Sequence, residues 1–103
     1  METKVKDLQP DLFEQETAEG NAIVMIGGVG CGNCKMQLAI LERIAPTLQG
    51  WKLFKLDSGT AMDIAGKFNV TTLPTTLVFK SGEHKETLVG LKPQPVLVKM
   101  LCE

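Results

Sequence analysis

Ala22-Ile23-Val24-Met25-Ile26-Gly27-Gly28-Val29-Gly30-Cys31-Gly32-Asn33-Cys34 carries three signals in succession. Ala22 to Ile26 is a short, unbroken apolar run rich in β-branched residues, the pattern of a strand buried on both faces. Gly27-Gly28-Val29-Gly30 reads as a flexible loop. From the cysteines onward the period changes. Ile40, Leu41, Ile44, Ala45 and Leu48 recur at helical spacing, which predicts a helix from about Cys31 to Ala45, with Pro46 and Gly50 as stop signals.

Downstream, Trp51 to Leu56 alternates apolar and polar residues and predicts a strand, and Asp57-Ser58-Gly59 a turn. Thr60 to Phe68 places Ala61, Ile64, Ala65 and Phe68 on one face of a short helix. Val70 to Pro74 reads as extended, Thr75 to Phe79 as a strand, Lys80 to Glu83 as a hairpin turn and His84 to Val89 as the returning strand. Gly90 breaks that strand, and a last helix is expected from Gln94 or Pro95 to Leu101. Upstream, Asp11 to Ala18 suggests a short amphipathic helix, and Gly20-Asn21 a turn. The order α, β, α, β, α, β, β, α gives an α/β chain in three layers: a mixed sheet with an antiparallel hairpin at one edge and helices on both faces.

The 103 residues fit one small domain, taken as residues 1–103. With 44% apolar and 22% charged residues, the composition is that of a globular chain able to bury a core without metal or disulfide staples. Net charge is −1 and the basic residues are scattered, so neither nucleic acid nor a membrane surface is an expected partner. The polar N-terminal stretch shows no signal-peptide apolar region, and no run is long enough to span a bilayer. A cytoplasmic location is expected. There, three cysteines point to catalysis or metal binding rather than to a disulfide framework.

Cys31 would stand at a helix N-terminus, where unpaired N–H groups and the helix dipole favour negative charge. Its thiol should therefore ionise well below the usual thiol range. Cys34, three residues on, lies on the same side of the first turn and within disulfide reach. It should be more buried and less acidic. That asymmetry suits dithiol–disulfide exchange. Cys31 thiolate attacks a target disulfide, and Cys34 then attacks the Cys31 sulfur to release the reduced target.

From about Asn21 to Leu101 the chain resembles the thioredoxin family, on three motifs in order. Cys31-Gly32-Asn33-Cys34 is similar to the family's Cys-Gly-Pro-Cys, and Leu73-Pro74-Thr75 to its X-Pro-Thr with a cis proline. Phe79-Lys80-Ser81-Gly82-Glu83 followed by Val89-Gly90 resembles its closing hairpin and groove glycine. The resemblance implies a thioredoxin fold, a cis Leu73–Pro74 bond and a protein-disulfide reductase. It implies substrate contacts at Val29, Gly30, Gly32, Asn33, Leu73, Pro74, Gly90 and Leu91. It also implies no cofactor beyond the Cys31–Cys34 disulfide, a thioredoxin-reductase-like flavoprotein or another dithiol as electron donor, and a monomer.

Four positions depart from the family. Gly30 stands where Trp usually precedes the first cysteine, and Asn33 replaces the motif's proline. The family's buried Asp falls at Met25, and its Lys partner is expected at Leu53, which would leave the site beneath Cys34 apolar.

Other readings compete. A zinc site would need Cys31, Cys34, His84 and Cys102 to converge, which the element order disfavours, so no metal is expected. A metal or iron–sulfur cluster shared between two chains through their cysteine pairs escapes that geometric objection. A non-catalytic binding module using the Leu73-Pro74 groove is the alternative from another class. Cys102 is read as an incidental thiol, and His84 and Lys35 as solvated side chains.

Overall fold

The apolar run at the head of the decisive stretch is the middle strand of a five-stranded sheet. The computed structural model describes residues 4–101. In chain order the elements are β1 (Val5–Asp7), α1 (Phe13–Thr17), β2 (Asn21–Gly27), α2 (Gly32–Ile44), β3 (Trp51–Asp57), α3 (Met62–Lys67), β4 (Thr75–Lys80), β5 (Glu83–Val89) and α4 (Gln94–Leu101). The strands lie side by side as β1-β3-β2-β4-β5. β1, β3 and β2 run parallel, while β4 is antiparallel to β2 and β5 antiparallel to β4. No helix among the described residues is long and apolar enough to cross a membrane.

Burial follows from this order. β2 is covered on both faces, and every residue from Ala22 to Gly27 is buried. Ile23 and Met25 point to one face, where Leu41, Ile44 and Leu97 pack from α2 and α4. Ala22, Val24 and Ile26 point to the other, against Phe13, Leu77 and Phe79. On that second face the rings of Phe13, Phe68 and Phe79 meet edge to face, with centroids 5.7 to 6.2 Å apart, and tie α1 and the end of α3 to β4.

Helix α2 buries Cys34, Gln37, Leu41 and Ile44, a single stripe along the sheet. It passes into a 3-10 turn at Ala45–Thr47, where Pro46 costs no intrahelical hydrogen bond.

The three-layer reading and the order of the last eight elements hold. One element was not expected: β1, read in the sequence as part of a polar leading stretch. Only Val5 in it is partly covered, and its neighbours Lys6 and Asp7 are exposed. A three-residue edge strand shows no alternation to read. Its pairing to β3 is visible only once β3 exists to receive it. Cys102 lies outside the described residues.

Leu41 is completely buried between α2 and the sheet. Leu41→Ala is expected to lower unfolding free energy by about 2–5 kcal/mol, measured by urea denaturation, with the alkylation rate of reduced Cys31 unchanged.

Candidate functional site

Strand β2 ends at Gly27, and a short turn through Gly30, at φ +76°, feeds α2. Cys31 is the N-cap residue, extended at φ −86° and ψ 105°, and its sulfur accepts a hydrogen bond from the Cys34 N–H at 3.1 Å. Cys31 and Cys34 form a disulfide with Cα atoms 5.2 Å apart. Cys34 is 6% exposed and Cys31 half-buried, the asymmetry expected from the sequence. In the reduced protein the same N–H and the dipole of a 13-residue helix act on Cys31. A helix N-terminus with a free N–H is a setting that favours a thiolate over a thiol.

Two glycines set these positions. A Cβ on Gly27 would lie 3.2 Å from both Cβ and Sγ of Cys34, so the bare strand end lets the helix start close in. A Cβ on Gly28 would lie 2.8 Å from a Leu73 methyl. That contact brings the Leu73-Pro74 segment to the cysteine loop.

The Leu73–Pro74 peptide bond is cis. Pro74 is buried, and its carbonyl accepts a hydrogen bond from the Gly90 N–H at 2.8 Å, Gly90 itself sitting at φ +80°. The two predicted rim segments, 73–74 and 90–91, are therefore stitched together. Leu73, Gly90 and Leu91 are half-buried, while Gly30, Gly32 and Asn33 are exposed. Val29 is 96% exposed, an apolar side chain standing free beside the disulfide.

The floor of the site requires a correction. Met25 and Leu53, read as the positions of the family's Asp and Lys, are both buried, but they are not the whole of the floor. In the parallel register Ile23 faces Leu53 and Met25 faces Lys55. Leu53 belongs to the apolar core. Nor is the surrounding space apolar throughout. A cavity of about 280 Å³ opens between β2, β3 and α2, and Lys55, Asp7 and Asp57 line it together with Met25, Cys31 and Cys34. Lys55 Nζ lies 3.5 Å from an Asp7 carboxylate oxygen.

Sequence reasoning missed Lys55 and Asp7 because neither the register of β3 against β2 nor the strand β1 was visible in it. It also missed Gln37, which sits on the buried stripe of α2 and shows no sequence signal other than polarity at an apolar position. His84 stays at the hairpin, its ring packed edge-on against Phe68 and its Nε2 2.8 Å from Thr87 Oγ1. Among the described residues no cluster of three or more His, Cys, Asp or Glu could hold a metal ion.

A family model described as thioredoxin matches residues 4–103. A thioredoxin of Listeria monocytogenes is 34% identical over 98 residues, covering 94% of this chain and 95% of that protein. A thioredoxin of Bacillus subtilis is 37% identical over 90 residues, covering 86% of each. In fold, the chain is similar to the crystal structure of a Malassezia sympodialis thioredoxin. The TM-score is 0.80 and the identity 24%, over 97% of this chain and 90% of that one.

Lys55 and Cys34 line the same cavity, and a cation facing a thiol supports the charged form of the sulfur. Lys55→Met is expected to move the pH midpoint for Cys34 alkylation upward in the reduced protein. At neutral pH its alkylation should slow about two- to tenfold, with Cys31 affected less. Equal rates for wild type and variant across the pH range would show that Lys55 does not act on this sulfur.

Proposed function

The chain belongs to the thioredoxin family and is a thiol–disulfide oxidoreductase of the disulfide-reductase kind, and on that premise we propose that Cys31 is the attacking thiol and Cys34 the resolving one. The observation that carries the assignment is the unequal burial of two sulfurs joined at the N-terminus of α2. The accessible one is also the one that accepts the Cys34 N–H.

The cycle balances as follows. Cys31 thiolate attacks one sulfur of a substrate disulfide, the substrate S–S bond breaks, and the departing sulfur leaves as a thiolate that takes a proton. Cys34 then loses its proton to water in the adjoining cavity and attacks the Cys31 sulfur of the mixed disulfide. The second substrate thiol leaves, and Cys31–Cys34 closes as the disulfide. Two electrons have passed to the substrate, and a dithiol donor restores the enzyme.

Family membership implies substrates bearing disulfides and thioredoxin reductase as the donor. Thioredoxins need no cofactor, because the redox-active disulfide is their own.

Beyond this, the substrate is read as a protein segment lying extended over Val29, Gly30, Gly32, Asn33, Leu73, Pro74, Gly90 and Leu91. The backbone of Leu73, just before the buried proline, is read as pairing with that segment, and the exposed Val29 side chain as its apolar contact. The chain is read as a single unit working as a monomer in the cytoplasm, without nucleic acid or membrane as partners.

Cys34→Ser is expected to accumulate mixed disulfides between Cys31 and a protein disulfide such as insulin, seen by mass under non-reducing conditions. Cys31→Ser should form none and lose reductase activity by at least about 10³-fold. The assignment of roles fails if the trapping occurs in the Cys31 variant instead.

A further inference from the structure

Gln37 is out of character with its surroundings. It lies on the buried stripe of α2, one turn past Cys34 and one before Leu41, and its side chain is 0% exposed. An amide in that position is costly unless both its ends are bonded. Both are, and to a single residue 55 positions away. Its Oε1 accepts the Lys92 N–H at 2.7 Å, and its Nε2 donates to the Lys92 carbonyl at 3.1 Å.

Lys92 belongs to the connection between β5 and α4, which contains no regular structure and carries Gly90 and Leu91. The connection is anchored at three places. Its first residue, Gly90, donates to the Pro74 carbonyl. Its third, Lys92, is clasped by Gln37. Its last, Pro93, accepts from the N–H groups of Val96 and Leu97 in α4. The middle anchor is the one that ties this connection to the helix carrying Cys34.

We infer that Gln37 is a positioning residue for protein substrates, holding the Gly90–Lys92 wall at a fixed height above the Cys31–Cys34 pair. This rests on the disulfide-reductase reading. A small disulfide needs only access to the Cys31 sulfur. A protein disulfide arrives with a stretch of backbone, and that stretch is oriented by whatever wall stands next to Leu73 and Pro74. A leucine at position 37 would fill similar space and leave the N–H and carbonyl of Lys92 without their partners, so the wall would no longer have one preferred position. The chemistry at sulfur would be untouched, because the Cys34 N–H bond and the helix N-terminus remain.

The test is single-turnover oxidation of the reduced full chain by insulin or by cystamine, quenched by alkylation and read by mass. For Gln37→Leu the half-saturating insulin concentration should rise about tenfold, equivalent to ~1.4 kcal/mol. Its limiting rate, its cystamine rate and the equilibrium constant of the cysteine pair with dithiothreitol should stay within about twofold of wild type. Gln37→Glu keeps the acceptor for the Lys92 N–H and loses the donor. It should fall between the two, and it carries the test alone if Gln37→Leu does not fold. Unchanged insulin saturation in the folded variants would overturn the inference, as would an equal loss with insulin and cystamine. Wild-type protein that neither disulfide oxidises would overturn the reductase reading itself, a result distinct from either.

Discussion

The close approach of α2 to the end of β2 governs the arrangement of the site. At Gly27 there is no side chain, and the space a Cβ would occupy is already shared with Cys34 Cβ and Sγ. Because the helix starts that near the strand, its first turn is pressed against the sheet on one side and open on the other. Cys34 falls on the pressed side and Cys31 on the open one. The chemical inequality of the two sulfurs is thus a consequence of packing. It needs no charged neighbour to establish it.

The same approach fixes what surrounds the pair. Gly28, one residue on, has no room for a side chain because Leu73 is there. Leu73 leads into the buried cis proline, whose carbonyl takes the Gly90 N–H. Starting from one bare strand end, a chain of contacts runs around the disulfide through three separate loops. Each loop is held by a backbone hydrogen bond or a van der Waals contact, with little help from surface charge. Apart from Lys55 with Asp7 at the cavity, the ion pairs among the described residues lie away from the site, as Lys85 with Glu83 on the hairpin shows. There the lysine lowers the Glu83 pKa through a hydrogen bond and charge attraction, without bearing on the site.

How much of this was legible in the sequence depends on how local each feature is. The apolar run of β2, the helical period of α2 and the turn residues around β4 and β5 are local, and their elements stand close to where they were expected. The cysteine roles and the cis proline came from motifs whose spacing survives in the folded chain. What escaped was relational. β1 is three residues long and depends on a partner strand, so no period could announce it. Lys55 could be told from Leu53 only by knowing the parallel register of β2 against β3. Gln37 looked like one polar residue in an amphipathic helix until Lys92 was seen opposite it.

The register also changes the meaning of the family departure at Met25. With Met25 and Leu53 alone the floor beneath Cys34 would be neutral, and burial alone would set that thiol, pushing its pKa up. Lys55, paired with Asp7, lines the same cavity and adds charge to it. A lone buried carboxylate would oppose a second negative charge on Cys34, whereas an ammonium facing the same space supports it. The Lys55–Asp7 pair is largely exposed, so its own attraction contributes little to stability. Replacement of a buried acid by methionine therefore leaves a cavity whose ionisable lining is Lys35 and Lys55 with Asp7 and Asp57, a different set of charges around the buried sulfur.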